Sequence, residues 1–232
     1  MIEKTVEKLL SGIYPERCLL CRDLPVIGDG EFRKYGLCPN CRKEDYLASF
    51  SSIMPGKNDL PTLAGHASYR YEDKLRDALE RLKYGKRRKY GQYFGRWMCE
   101  ESQAAPELKA WLRETDYLVP VPLAPLRLQE RGYNQAALMA EAISEETGIP
   151  TVEMLIRCRE TRYQKSLGIA MREKNVEGAF RVKDDLEIPV PKKIVLVDDI
   201  YTTGSTLQDC IRAVHEKWPE TAVIWWTFAK EN

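Results

Sequence analysis

Two adjacent acids and the loop after them are the residues of this sequence best suited to chemistry. An apolar run that begins at Ile194 leads into Asp198 and Asp199, and small hydroxyl residues around Gly204 follow. Backbone N–H groups in such a loop, with the positive end of a helix that starts there, bind phosphate. The acids do not favour that phosphate, but they suit hydroxyl groups or a divalent cation. Because a phosphate beside a diol is a ribose phosphate, the stretch predicts a ribose-phosphate site.

Other nucleotide-binding loops have different patterns. The sequence contains no GxxxxGK[ST], and no GxGxxG follows a predicted strand, so neither a P-loop nor a dinucleotide-binding loop is indicated. An ordinary strand end followed by a helix N-cap is the remaining alternative, since Asp, Thr and Ser are common there. The combination of acids, hydroxyl residues and a following helix favours the phosphate site.

Four of the seven cysteines form two pairs with the spacing of a metal site: Cys18, Cys21, Cys38 and Cys41. Two residues separate the thiols of each pair, so two tight turns can offer four thiolates to one tetrahedral zinc ion. We therefore predict a structural zinc module, whose metal supplies folding energy to a segment too small for its own core. An iron–sulfur centre, a redox dithiol or four unrelated core thiols are the alternatives. The lone cysteines are expected to be buried: Cys99, Cys158 and Cys210.

A basic stretch, residues 81–96, contains seven Lys or Arg, no acid and several aromatic residues. Cations for phosphates and rings for bases are the ingredients of single-strand nucleic-acid binding. The same residues suit the steering of a polyanionic ligand, and a solvated helix–turn–helix face explains them as well. The sequence leaves these three interpretations open.

The elements that must position these residues alternate between strand and helix from residue 67 onward. Strands are predicted at Ala67–Tyr71, Tyr117–Val121, Val152–Arg157, Ala179–Val182, Lys193–Val197 and Thr221–Phe228. Helices are predicted at Asp73–Lys83, Gln135–Glu146 and Ser205–Lys217. This alternation is typical of an α/β fold with a mostly parallel sheet covered on both faces. Such sheets bind ligands at the carboxyl ends of their strands.

Composition limits the class of protein. The 232 residues carry 36 Lys plus Arg against 35 Asp plus Glu, a net charge of +1, which excludes a uniformly basic nucleic-acid binder. No apolar run approaches the roughly 20 residues of a membrane helix, and the first residues lack a signal-peptide core. A cytoplasmic protein without a membrane span is expected. We predict a helix and zinc module over residues 1–55, a linker over 56–65, and a larger domain over 66–232.

These motifs together resemble a known family. The segment Val195–Thr206 is similar to the phosphoribosyl-pyrophosphate (PRPP) motif of type I phosphoribosyltransferases. Its combination with a four-cysteine module resembles the ComF family, and further matching stretches are Leu82–Tyr84, Val119–Pro122, Arg131–Gln135 and Gln164–Phe180. The resemblance covers essentially the whole chain. It implies a type I phosphoribosyltransferase-like, Rossmann-like fold behind an N-terminal four-cysteine zinc module.

The resemblance also implies roles for individual residues. Asp198 and Asp199 would engage the ribose hydroxyls of PRPP, directly or through Mg²⁺, and Lys83 and Arg131 would lie near the ligand, Arg131 on its pyrophosphate side. The 5′-phosphate would be held by Thr202, Thr203, Gly204, Ser205 and Thr206. The long loop over residues 159–175 would be a mobile hood. Its cations able to meet pyrophosphate would be Arg162, Lys165 and Arg172, with Arg172 in a catalytic role. An exposed loop with incidental charges is the alternative.

Two functions remain open at this point. One is an enzyme that transfers phosphoribosyl to an unidentified acceptor and releases pyrophosphate, with positive charge stabilising the leaving group. The other is a non-catalytic accessory or nucleic-acid-binding module with the same fold. ComF relatives are associated with natural competence, so single-stranded DNA and DNA-uptake proteins are the expected partners beside PRPP or a related ribose phosphate.

Overall fold

The computed structural model describes residues 17–24, 30–43, 50–54, 63–158 and 178–231. The helices in these residues are α1 (Gly30–Tyr35), α2 (Pro39–Lys43), α3 (Asp73–Tyr84), α4 (Lys89–Ser102), α5 (Pro106–Leu112), α6 (Pro125–Arg131), α7 (Gln135–Thr147) and α8 (Ser205–Lys217). The strands are β1 (Phe50–Met54), β2 (Leu63–Arg70), β3 (Tyr117–Pro120), β4 (Leu155–Arg157), β5 (Phe180–Val182), β6 (Lys193–Tyr201) and β7 (Ala222–Lys230). Within this part of the chain, no helix has the length and apolar character needed to cross a lipid bilayer.

A five-stranded sheet in the order β1-β2-β7-β6-β3 organises the molecule. Strands β2, β7, β6 and β3 run parallel, and β1 pairs antiparallel with β2 at one edge. Strands β4 and β5 form a separate two-stranded antiparallel sheet. The predicted α/β fold with a mostly parallel sheet is confirmed.

The two faces of the sheet pack into separate hydrophobic clusters. Consecutive side chains of a strand point to opposite faces, so Val195 and Val197 of β6 join one cluster, whereas Leu196 joins the other. Helices α3, α4 and α7 cover the first face, and α8 with the β4–β5 pair covers the second. Trp225 and Trp226 are fully buried on opposite faces of the sheet, so both have a packing role.

Helix α4 is the main element that the sequence does not reveal. Gly91 and Gly95 weaken its helical pattern, because glycine is a poor helix former. A Cβ atom at Gly91 would lie 2.6 Å from Cβ of Leu138, and one at Gly95 would lie 2.5 Å from the carbonyl oxygen of Met139. The two glycines therefore allow α4 to pack closely on α7.

Several predicted bounds differ from those in the structure. The predicted strand Val152–Arg157 is shorter, because the Val152 N–H donates to the Leu118 carbonyl and only Leu155–Arg157 pairs with β5. Strand β6 continues to Tyr201, beyond the predicted end at Val197. Strand β2 begins at Leu63, inside the range assigned to a linker. The division of the chain at residues 55 and 65 stays a prediction.

Candidate functional site

The acid pair, Asp198 and Asp199, lies within the carboxyl-terminal half of β6 rather than after its end. The neighbouring strand β3 ends at Pro120, which is paired with Val197. From Asp198 onward, no strand among the described residues lies beside β6 on that edge, and both acids line a cavity of about 460 Å³. The backbone N–H of Asp199 donates to Oδ1 of Asp198 at 2.8 Å, which fixes the Asp198 side chain against the backbone of the strand.

The two carboxyl groups of the acid pair have different electrostatic environments. Burial raises the pKa of Asp198, and the charge of the adjacent Asp199 raises it further. Burial alone would also raise the pKa of Asp199, but the Lys83 ammonium, with smaller contributions from Asp198 and Arg131, more than offsets this, so that the pKa of Asp199 lies below its ordinary value. Nζ of Lys83 is 3.0 Å from Oδ2 of Asp199. The pair therefore combines a firmly ionised carboxylate with one that retains a proton more readily.

The predicted motifs at 82–84 and 131–135 meet beside the acid pair. The Tyr133 hydroxyl donates to the Leu82 carbonyl, which joins the start of α7 to the end of α3. Nη1 of Arg131 donates to Oε1 of Gln135 at 2.9 Å, and Nε2 of Gln135 donates to Oδ2 of Asp199 at 3.3 Å. Two stretches without any evident link in the sequence thus converge on one carboxylate.

The hydroxyl loop, residues 202–206, connects β6 to α8. Gly204 has φ 78°, a left-handed conformation that glycine adopts without strain, and it serves as the N-cap of α8. Oγ of Ser205 and Oγ1 of Thr203 are hydrogen bonded at 2.8 Å, while Thr202 and Thr206 line the same cavity as the acids. The first N–H groups of α8 have no helical acceptor, so this end of the cavity suits an anion.

Three arginines also line this cavity: Arg127, Arg131 and Arg157. Only Arg131 was predicted. Burial lowers the pKa of Arg157, and the charge of Arg127 lowers it further, which indicates two guanidinium groups close enough to repel each other. Arg127 precedes Arg131 by one helical turn, a spacing that identifies it in retrospect, whereas Arg157 carries no comparable signal. Lys83 and Arg131, both predicted near the ligand, do lie beside the acids.

A further carboxylate on α8 fixes the edge of the site. Asp209 is 2% exposed and accepts the backbone N–H groups of Gly178, Ala179 and Phe180 at 2.8, 2.8 and 3.1 Å. The start of β5 is thereby attached to the helix that follows the hydroxyl loop. The predicted hood residues Arg162, Lys165 and Arg172 lie outside the described residues, as does the predicted N-terminal helix.

The cysteine cluster, Cys18, Cys21, Cys38 and Cys41, brings four Sγ atoms within 4.8 Å of one another. Zinc–sulfur bonds of about 2.3 Å require tetrahedral sulfur separations of about 3.8 Å, so the four thiols fit one zinc ion. Three of the four side chains are buried, as expected for a closed structural site. Of the lone cysteines, Cys99 and Cys210 are buried as predicted, but Cys158 is exposed, because it follows the end of the short strand β4.

The cysteine cluster is attached to α3 and α4. Nη2 of Arg81 donates to the Leu19 carbonyl at 2.6 Å, and Nε1 of Trp97 donates to the Tyr35 carbonyl at 2.8 Å. Gly36 has φ 69°, and a Cβ there would lie 2.0 Å from Leu19. Helix α3, which carries Lys83 to the acids, is thus also a support of the cysteine cluster.

The basic stretch is divided by the structure. Arg81 and Lys83 are engaged as described above, and Arg96 forms ion pairs with Glu145 and Glu146. The exposed part is the basic turn, residues 86–89, between α3 and α4. The predicted stretch is therefore not one continuous surface.

Comparisons with known proteins bear on this arrangement. The model of the phosphoribosyl transferase domain matches residues 118–232, which include the acid pair and the hydroxyl loop. The Competence protein F of Haemophilus influenzae is 26% identical over 93% of this chain and 98% of its own length. The Competence protein ComFC of Streptococcus pneumoniae is 28% identical over 91% of this chain and 88% of its own length. The DNA utilization protein YhgH of Salmonella typhi is 29% identical over 91% of this chain and 96% of its own length. Over most of its length, the chain is therefore similar to proteins named for competence and DNA utilization.

A solved structure is also similar to part of this chain. The glutamine PRPP amidotransferase from B. subtilis, complexed with ADP and GMP, is 21% identical, with a TM-score of 0.36 over 59% of this chain and 25% of that one. The matched phosphoribosyl transferase domain begins at Leu118. Lys83 and the cysteine cluster therefore belong to the part of the chain that precedes the matched domain.

Proposed function

We propose that this chain binds PRPP, or a related ribose 5-phosphate, in the 460 Å³ cavity and transfers its phosphoribosyl group to an acceptor. The observation that carries the proposal is the juxtaposition of the acid pair and the hydroxyl loop on one cavity wall. The loop offers N–H donors and hydroxyl groups to a phosphate, and the acids offer acceptors to the ribose hydroxyls. A ligand with a phosphate and a diol satisfies both at once.

The pyrophosphate end of PRPP is assigned to the arginine side of the cavity. Arg131, with Arg127 and Arg157, gives that side a positive charge that suits a leaving diphosphate. In the transfer, the bond between ribose C1 and the pyrophosphate oxygen breaks, and the acceptor forms a new bond to C1. The guanidinium groups stabilise the negative charge of the departing pyrophosphate. Arg172 remains the further cation proposed for this step.

Two metals belong to the proposal. Mg²⁺, when bound, would neutralise charge on the pyrophosphate, and pyrophosphate oxygens would be among its ligands. Zinc is assigned to the cysteine cluster as a structural ion, because four thiols close a tetrahedral shell with no open position. A cytoplasmic location is part of the proposal, since it keeps the thiols reduced.

Thermal melting with PRPP and Mg²⁺ tests the ligand assignment. We expect PRPP to raise the melting temperature of the parent and the Asp198→Asn/Asp199→Asn variant to lose that shift. Asp184→Asn/Asp185→Asn is the matched control, because it is another adjacent acid pair but an exposed one, remote from the cavity lining. A parent without any shift would remove the assignment. Pyrophosphate release with a panel of acceptors then separates an enzyme from a binding module.

Binding of single-stranded DNA is a second candidate function. It is supported by the exposed basic turn 86–89 and by relatives named for competence and DNA utilization. Arg87→Glu/Arg88→Glu should weaken DNA binding in low salt by about tenfold or more, whereas the control Lys109→Glu/Arg113→Glu should not. Equal DNA affinity in both variants would remove the basic turn as the binding surface. DNA-uptake proteins remain partners by proposal.

A further inference from the structure

Lys83 reaches the acid pair from a helix that precedes the matched phosphoribosyl transferase domain. Its side chain is 13% exposed, that of Asp199 is 9% exposed, and Nζ and Oδ2 are 3.0 Å apart. The end of α3 is fixed by the hydrogen bond from the Tyr133 hydroxyl to the Leu82 carbonyl. Lys83 is therefore a positioned, largely buried cation and not a mobile surface lysine.

The oxygen that Lys83 contacts is already saturated. Oδ2 of Asp199 accepts from Nζ of Lys83 and, at 3.3 Å, from Nε2 of Gln135. A carboxylate oxygen has about two lone-pair positions, so two donors fill it. On the other acid, Oδ1 of Asp198 accepts the Asp199 N–H. Two of the four carboxylate oxygens of the acid pair are therefore engaged by groups of the chain itself.

A divalent cation meets two obstacles at such a pair. It would have to displace the ammonium or Gln135 to reach Oδ2, and it would lie a few ångströms from a positive charge in a partly buried site, where repulsion is weakly screened. Mg²⁺ also gives up its hydration water reluctantly, so the two remaining carboxylate oxygens, one on each acid, offer little compensation.

We propose that Lys83 is the resident counter-ion of Asp199 and keeps divalent cations off the acid pair, so that the pair binds the ribose hydroxyls directly and metal enters only with a diphosphate. The inference rests on the proposed function only for the identity of the diol that the acid pair binds. The divalent-metal affinity expected of the protein without ligand does not depend on the proposed function. It assigns a specificity role to a residue outside the matched domain. It also implies that ribose 5-phosphate, which lacks a diphosphate, binds without divalent metal.

Titration of Mn²⁺ alone tests the proposal, with free Mn²⁺ followed by electron paramagnetic resonance and zinc-loaded protein in metal-free buffer. Mn²⁺ does not displace zinc from thiolates, because it stands at the weak end of the affinity series. The parent should show no Mn²⁺ site dependent on the acid pair. Lys83→Met should bind Mn²⁺ at least about tenfold more tightly than the parent, and adding Asp198→Asn/Asp199→Asn should abolish the gain.

Two further variants make the result specific to the charge at this position. Lys83→Arg retains a cation and should behave as the parent, and Lys109→Met, which removes an exposed lysine of α5, should have no effect on Mn²⁺ affinity. A parent that binds Mn²⁺ at the acid pair would overturn the proposal, and this measurement does not depend on any variant folding. Unchanged Mn²⁺ affinity in a cooperatively folded Lys83→Met would overturn it as well.

Calorimetry with ribose 5-phosphate distinguishes the failure of this inference from the failure of the proposed function. Binding of ribose 5-phosphate to the parent in metal-free buffer supports both the role of Lys83 and the proposed function. Binding only after Mn²⁺ is added leaves the proposed function intact and overturns the role of Lys83. Absence of binding under both conditions contradicts the proposed function, while the Mn²⁺ titration still decides the role of Lys83.

Discussion

The cysteine cluster and the acid pair both gather groups of like charge, but they balance that charge differently. Four thiols within 4.8 Å of one another could hold a metal ion, which would balance the charge of their thiolates. The acid pair contains its own cation, since Lys83 lies 3.0 Å from Asp199. On the proposed zinc assignment, the first region takes its balancing charge from a bound metal, whereas the second takes it from a side chain of the protein. The same chain thus separates a structural use of anionic side chains from a ligand-binding use.

Removal of metal from the cysteine cluster should have the largest effect on stability. Cys38→Ser, or chelation of the parent, is expected to lower the melting temperature by at least about 10 °C, because the support of α3 and α4 by this segment is lost. Differential scanning calorimetry with zinc analysis measures both quantities, and we expect about one zinc per chain. Cys158→Ser is the control, since that thiol is exposed. A metal-free chain with an unchanged melting temperature would contradict the contrast between the regions.

Removal of the cation from the acid pair should have a smaller effect. Lys83→Met leaves Asp199 buried without its partner, which costs about 3 kcal/mol; urea denaturation measures this difference. Lys83→Arg should recover most of the loss. If Lys83→Met were as stable as the parent in metal-free buffer, the role of Lys83 as the counter-ion of Asp199 would be refuted.

A substitution in the hydroxyl loop should have the smallest effect on stability while still affecting the ligand. Gly204→Ala places a side chain at φ 78° and should cost about 1–2 kcal/mol in unfolding free energy. Gly148→Ala, at φ 77° after α7 with open space around it, should cost a similar amount. Only Gly204→Ala should weaken ribose 5-phosphate binding in calorimetry. Equal binding by the two variants would show that the loop backbone does not contact the ligand.

The local parts of this arrangement were predictable from the sequence. The order of apolar strand, acids, hydroxyl loop and helix is contiguous, and the predicted bounds of α8 agree with Ser205–Lys217. The CxxC spacing likewise predicted four thiols in one place. In both cases the geometry comes from residues close together in the sequence, so periodicity and spacing are sufficient to predict it.

The non-local parts were not predictable from pattern alone. The salt bridge from Lys83 to Asp199 joins α3 to β6, and only the packing of α3, α4 and α7 on the sheet brings them together. Helix α4 was missed for a related reason, since Gly91 and Gly95 oppose helix formation locally but permit close contact with α7. Asp209 has no motif, yet it anchors three consecutive backbone N–H groups at the start of β5.

Calorimetric titration of ribose 5-phosphate is the most direct test that the acid pair is a ligand site. We expect the parent and Asp184→Asn/Asp185→Asn to bind with equal affinity, and Asp198→Asn/Asp199→Asn to bind at least about tenfold more weakly, because charged acceptors for the ribose hydroxyls are lost. All three proteins should retain the same zinc content. Equal affinity in all three proteins, or no binding to the folded parent, would contradict the assignment of this cavity to a ribose phosphate.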